Sequence, residues 1–432
     1  MSKMFSALKI PNYRLWTAGA LVSNIGTWMQ RVAQDWLVLT ILTDHSGTAT
    51  GITTGLQFLP ILFLGPFAGV LADRMNKRKL LLITQSSMGV FATILGVLVA
   101  TGTAELWHVY LLAFGLGVAS AFDAPARQAF VSELVPAREL PNAVALNSAS
   151  FNLARLAGPG VAGLLIAAFG TGPAFLINAA SFGAVIFSLG KMRSEQFQPT
   201  RLVARQKGQI RDGLAYVRKR PDLLLIFALA FVVATFGLNF QLTNAMMATD
   251  IFHVGAGAFG LLGTIMAVGT LAGALLAARR GKPRMRYLLG GAVGFGAMAL
   301  TASFMPTFFW YAVMMVPVGL ASLTFLNSAN TMIQLSVDPA YRGRVLGLYI
   351  MVVQGGTPLG APLVGWLGTE FGARWSVGGG AVLSLVAGLI AVAVVLPRAR
   401  RTPKLGTGTP ARHKAATKSR SKVRALVPLL GR

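Results

Sequence analysis

The 432-residue chain contains no cysteine, so it can form no disulfide, no thiolate metal site and no cysteine nucleophile. It is also poor in charge: 12% of its residues are Asp, Glu, Lys or Arg, against about a quarter in soluble domains. Negative charge is the scarcer sign, with 13 Asp and Glu against 39 Lys and Arg, for a formal net charge of +26. The four histidines, His45, His108, His253 and His413, are too scattered to offer a paired metal-ligand spacing. No G-x-x-x-x-G-K-[S/T] phosphate loop occurs, and no Ser-His-Asp set lies within reach inside a membrane. ATP-driven pumping and hydrolysis are therefore unsupported, and no enzyme activity, cofactor or metal is expected.

What the chain has instead is apolar length. Hydrophobic residues make up 54% of it and its mean hydropathy is +0.63, values of a multi-spanning membrane protein. A charge of +26 would suggest nucleic acid in a soluble protein. Here the basic residues cluster in alternate connections, and only Arg31, Arg155 and Arg374 fall outside segments assigned to one side of the membrane. That is the positive-inside pattern, so the partner it implies is an anionic lipid surface and not nucleic acid. The first apolar run is too long and too charged for a signal peptide and reads as an uncleaved span.

With Gly, Pro and charge as punctuation, spans of about 20 apolar residues fall near 15–42, 49–71, 80–101, 106–122, 142–168 and 173–191. Six more fall near 223–248, 257–278, 286–304, 308–330, 345–369 and 375–396. The expectation is an all-α membrane protein of twelve transmembrane helices with both termini inside. Its parts are a first bundle (1–192), a cytoplasmic linker with an amphipathic helix (193–221), a second bundle (222–398) and a basic, disordered tail (399–432). The halves repeat in parallel: Pro136 matches Pro339 and Pro159 matches Pro362 at an offset of 203 residues, and AAFG (167–170) answers TEFG (369–372). Parallel six-span repeats mark one large transporter architecture.

The stretch NIGTWMQRVAQDW (24–36) carries charge inside an apolar run. A charge at the bilayer centre costs about 2.5–3.5 kcal/mol on insertion scales, so such residues face an interior. Helical spacing puts Asn24, Thr27, Arg31 and Asp35 on one side. Arg155 lies in the middle of the fifth span, and Pro358 stands at its repeat position, so this charge is not part of the repeat. Arg155 either pairs with Asp35 or backbone carbonyls, or serves substrate. Asn147, Asn239, Gln241, Asn327 and Gln354 are further polar candidates for a cavity or for interhelical bonds.

Two motifs join these spans. In GVLADRMNKRKL (69–80), Gly69 permits close packing, Asp73 can pair with a basic group or a helix N-terminus, and Asn76 suits a tight left-handed turn. In RLAGPGVAG (155–163), the small residues Gly158 and Gly163 allow close helix approach and Pro159 bends the helix. The first motif resembles the loop 2–3 signature of the major facilitator superfamily, with Asn76 and Lys77 as departures. With FDAPARQAFVSELV (122–135) and residues 140–165, it is similar to the bacterial branch that contains the enterobactin exporter and macrolide efflux proteins. The resemblance implies two six-helix bundles around a central cavity and alternating access. It implies a conformational switch at Gly69, Asp73, Arg74, Lys77 and Arg78, with Asp123 or Arg127 as partners. It also implies an antiporter-like helix motif at Gly158, Pro159 and Gly163. The fourth span lacks the buried arginine of many proton-coupled members.

The function expected is export of amphipathic small molecules, such as drugs or a siderophore-like metabolite, in exchange for protons across the inner membrane of a bacterium, by a monomer. Asp35 is the one carboxylate placed well inside a span; burial and Arg31 act on its proton in opposite directions. A cation bound at Asp35 competes with the proton, as antiport requires. An anion at Arg31 would release Asp35 to bind a proton alongside it, so an anion would need Arg155 as its receptor. An uptake symporter and a lipid or lysolipid translocator are the alternatives.

Overall fold

The computed structural model describes residues 3–198, 209–279 and 284–401. Residues Met1–Ala391 form one compact unit and Val392–Arg432 a second, of which only the helical start is described. The basic tail, 402–432, and the linker residues 199–208 lie outside the described residues.

Prolines at first-turn positions and polar caps set where the helices begin. Helix α1 (Pro11–Leu37) opens on proline, which lacks the N–H that a first turn leaves unpaired. It continues into a wide π-type turn, Val38–Leu42. Helix α2 (Gly47–Arg74) is capped by Ser46, whose hydroxyl oxygen accepts from Ala49 N. Helix α3 (Lys77–Ala100) is capped by Asn76, which accepts from Lys79 N at 3.0 Å. Asn76 is extended, with φ −61, so it is a cap and not the left-handed turn expected. Helices α4 (Leu106–Leu134), α5 (Leu140–Phe169) and α6 (Gly172–Lys191) complete the first six rods.

The linker carries α7 (Gln209–Arg218), which ends before Pro221 as the proline requires. Tyr216 stacks on Tyr341, and Arg344 reaches Asp212, so α7 packs on the start of α13 (Pro339–Gly355). The seventh rod is broken: α8 (Pro221–Val232), a wide turn (Val233–Gly237), α9 (Phe240–Met246) and a second wide turn (Met247–Ile251). Then follow α10 (Ala256–Arg279), α11 (Met285–Ser303), α12 (Phe308–Ser336), α14 (Thr357–Phe371) after α13, and α15 (Ala373–Arg401). Gly170 and Gly372, the glycines of the AAFG and TEFG repeat, end α5 and α14 with φ of +78 and +94, where a Cβ would be strained. Arg374 donates to the Ser303 and Met305 carbonyls and so caps α11.

Among the described residues, ten helical segments are long and apolar enough to cross a membrane. Two of the twelve expected spans fall short. Helix α1 is diluted by Gln30, Arg31, Gln34 and Asp35, and α11 is 19 residues long with Arg286 in its first turn.

The rods of the two repeats touch in two related places. Helix α2 packs on α14, and α10, its counterpart, packs on α5, the counterpart of α13 and α14. These contacts are close enough to need glycine. A Cβ on Gly51 would lie 2.3 Å from the Ala361 carbonyl, and one on Gly260 2.3 Å from the Pro159 carbonyl. They lie toward the end of the molecule that holds the 43–46 and 252–255 connections. There Thr48 meets Thr369 at 3.2 Å, Trp36 stacks on Phe259, and His45 Nδ1 lies 2.8 Å from Asp250. Toward the opposite end the described residues make no such close approach. Leu62 still reaches Gly355, but a Cβ on Gly65 or Gly69 of α2, or on Gly343 or Gly347 of α13, would meet nothing within 4 Å. Gly69 therefore serves no close packing in this arrangement.

Candidate functional site

Helix α1 lies between α5 and α6 and presents a different polar set to each. Toward α6, Gln30 accepts a hydrogen bond from Asn178, and both are buried. Toward α5 and α2 stand Trp28, Arg31 and Asp35. The Arg31 guanidinium sits 4.9 Å from the Trp28 ring and 5.3 Å from the Phe58 ring of α2. The Arg155 guanidinium, from α5, sits 5.7 Å from the same Trp28 ring. Two guanidinium groups from different helices thus share one indole, an arrangement that gains cation–π attraction where water is scarce.

Asp35 is 4% exposed, with the Thr54 side chain of α2 facing its carboxylate. Arg31 is near enough to feel both Asp35 and Arg155 electrostatically. Yet among the described ion pairs, none closer than 4.0 Å joins Asp35 to Arg31 or Arg155. Arg31 and Asp35, which helical spacing puts on one side of α1, form no contact ion pair. Side chains four apart share a face, but the Arg31 guanidinium turns to the two aromatic rings and its buried Nε has no hydrogen-bond partner. Arg155 likewise makes no pair with Asp35.

Gly158 brings α1 and α5 together. A Cβ there would fall 2.5 Å from Trp28 Cβ, so the glycine lets Trp28 lie over the helix that carries Arg155. Gly163 and Pro159, one turn on, face α10: a Cβ on Gly163 would be 2.7 Å from the Ala256 carbonyl. The motif at 158–163 therefore joins the charged cluster to the contact between α5 and α10.

The other candidates sit apart. Asn239 donates to the Thr235 carbonyl at 2.7 Å and holds the broken seventh rod in shape. Gln354 is exposed at the end of α13, Asn24, Asn147 and Asn327 are half-buried, and Gln241 Nε2 is buried without a partner. In the 69–80 loop the side chain of Asp73 lies outside the described residues, and Arg74 is exposed. Lys77 pairs with Glu133 at 2.6 Å, and Arg78 donates to Ser194 and Gly190. Glu133 and Gly190 belong to α4 and α6, and Ser194 follows α6 at the start of the linker. Asp123 and Arg127, expected as partners of the loop, pair with each other, and Thr84 and Gln85 also donate to Asp123.

Residue-by-residue reading overlooked Trp28 and Phe58. The signal for Trp28 was its spacing of three from Arg31, which puts both on one face. Phe58 comes from another helix and had no local signal. It also overlooked that TDHSG (43–47) and TDIFHVG (249–255) are two versions of one connection, whose histidines, His45 and His253, both adopt positive φ. Only the first completes an ion pair among the described residues.

The geometry is that of a transporter, and the comparisons agree. The family model described as transmembrane secretion effector matches residues 2–417. The chain is 27% identical to a staphyloferrin A transporter of Staphylococcus aureus over 81% of its own length and 87% of the relative's. It is 24% identical to macrolide efflux protein A of Streptococcus pyogenes, over 92% and 98%. Its fold resembles an inward-facing, unoccupied bacterial homologue of the human lysosomal transporter Spinster, with a TM-score of 0.70 at 16% identity, covering 91% of this chain and 98% of that one. With ten apolar spans and bacterial efflux relatives, this is a multi-pass protein of the bacterial plasma (inner) membrane. A match over nearly the whole length, on rods packed in this repeated order, makes the chain a member of the transmembrane secretion effector family of major facilitator transporters.

Proposed function

We propose that this protein is a secondary active exporter of amphipathic small molecules, driven by proton entry and working by alternating access between two six-helix bundles. The observation that carries the reading is the position of the Arg31–Asp35–Arg155 cluster. It lies on α1 and α5, next to contacts that are closed toward one end of the rods and absent toward the other. With both termini inside, the open end is the cytoplasmic one, where an exporter collects its cargo. Asp35 is the proton site. Because it makes no contact pair with Arg31, no ion pair has to break before the carboxylate exchanges its proton. The names of two relatives, a staphyloferrin A transporter and a macrolide efflux protein, support small-molecule transport, and the second supports its outward direction.

The test uses inverted membrane vesicles with an imposed pH gradient and a panel of amphipathic drugs and siderophores. Gradient-dependent uptake of at least one compound is expected, with loss of that dependence in Asp35→Asn. Unchanged gradient-driven uptake in the variant removes Asp35 from the mechanism.

A further inference from the structure

We infer that Arg155, Trp28 and Phe151 form a receptor for the carboxylate end of an aromatic monoanion. The inference rests on the transport reading only for its place in the cycle.

The argument begins with charge. Inside the rods around Trp28 stand two guanidinium groups and one carboxylate, Asp35. Other carboxylates on the rods stand elsewhere: Asp123 pairs with Arg127, Glu133 with Lys77, Asp222 with Arg220 and Asp250 with His45, and Glu370 lies exposed at the end of α14. The cluster therefore carries one positive charge more than it can balance. A desolvated arginine without a counter-ion is costly, and a bound anion is the natural way to offset it.

Arg155 is the receptor of the two. Arg31 is flanked by Trp28 and Phe58 and lies in the field of Asp35. Arg155 lies over the Trp28 ring and, among the described residues, makes no hydrogen bond or ion pair. Its fork of N–H donors is free, and that fork matches a carboxylate with two parallel bonds.

The neighbours select the rest of the ligand. Phe151 lies one turn before Arg155 on α5, so the two share a face. Its ring meets Trp28 edge to face at 5.9 Å, yet 48% of Phe151 is exposed. An aryl carboxylate can place its acid group on Arg155 and its ring against Phe151. One free guanidinium in an apolar wall fits a single negative charge; a second would be left unpaired. Anion capture at Arg155 also leaves Asp35 and Arg31 to the proton.

The test uses the purified full chain in detergent and equilibrium dialysis with labelled salicylate, against tetraphenylphosphonium as a cation of similar aromatic character. Salicylate is expected to bind wild type, with affinity falling about 10- to 100-fold in Arg155→Gln, the loss of a charge-assisted pair. Arg155→Lys, which keeps the charge and so guards against misfolding, should lose less because the fork alone is gone. No salicylate binding to wild type, or equal binding by Arg155→Gln, overturns the receptor. Counterflow in proteoliposomes separates the two readings. Flux of tetraphenylphosphonium without salicylate binding overturns the receptor and keeps the transporter. Salicylate binding that depends on Arg155, without flux of either ion, supports the receptor and removes the transporter.

Discussion

Gly51 offers the most direct perturbation of the closed end. In Gly51→Ala the new Cβ would stand 2.3 Å from the Ala361 carbonyl oxygen, 2.8 Å from its carbon and 2.9 Å from Pro362 Cα. All three are backbone atoms, so no side chain can turn aside. An ordinary contact begins at 3.4 Å, so α2 and α14 must part by about 1 Å. One turn away a Cβ on Gly365 would stand 2.1 Å from the Gly47 carbonyl oxygen, and Thr48 bonds Thr369, so the strain is not relieved by a local shift. Overpacking of this kind costs about 1–3 kcal/mol. It acts on the arrangement in which these helices touch and not on one in which they have separated, so the balance moves toward opening by about 5- to 150-fold. The absence of native cysteine supplies the assay. Gln57, 7% exposed and hydrogen-bonded to Gln34, can be made the sole thiol as Gln57→Cys and labelled with a membrane-impermeant maleimide from outside the cell. Labelling should quicken by that factor in the Gly51→Ala background. Gly89→Ala, whose Cβ has no neighbour nearer than 3.6 Å, should leave it unchanged. Equal labelling rates in Gly51→Ala and wild type would refute the reasoning.

Three further outcomes follow from the same geometry. Gly158→Ala sets a Cβ 2.5 Å from Trp28 Cβ, so it should move Trp28 off Arg155 and destabilise the α1–α5 contact by about 1–3 kcal/mol, read as lower thermal stability in detergent with altered tryptophan fluorescence. Asp123→Asn leaves the partly buried Arg127 charge without its carboxylate, at a cost of about 1–3 kcal/mol, and Asp123→Asn/Arg127→Gln should recover part of the lost stability. His45→Ala removes a pair whose histidine is 48% exposed, so its effect should stay below about 1 kcal/mol and the Gln57→Cys labelling rate should change less than about fivefold.

Helix positions were legible where proline and glycine punctuate the chain. The span expected from 308 begins at Phe308, and those expected from 142 and 173 begin at Leu140 and Gly172. Ends were less legible. The fourth span was read as stopping at 122, where charge begins, yet α4 runs to Leu134. Hydropathy sees Asp123 and Arg127 as breaks in an apolar run, but pairing lets both continue the helix in a protein interior. The breaks in the seventh rod had no local signal. They lie at tight tertiary contacts, where a Cβ on Gly360 would stand 1.6 Å from the Thr235 carbonyl oxygen and Phe295 fills the space beside Gly237. At the candidate site, Arg31, Asp35 and Arg155 stood out because charge is scarce in the rods. Which of them face each other depends on rotamers set by Trp28 and Phe58, and spacing alone places Arg31 on Asp35.

The wide turns at Val38–Leu42, Val233–Gly237 and Met247–Ile251 have a consequence for the history and engineering of this fold. A π-type turn is an α-helix holding one residue more than its ladder can pair, a single-codon insertion kept in place. Each extra residue rotates everything beyond it by about 100° about the helix axis. The first of these turns stands just before TDHSG and the last contains Thr249 and Asp250, so they set the bearing of His45 and Asp250 relative to their own rods. Deleting one residue from Val38–Leu42 should restore a regular helix and swing the 43–46 connection through that angle, with almost no change in composition. The tips of the first and seventh rods are thus aimed by residue count as well as by residue type, and a substitution-only scan would pass over that variable.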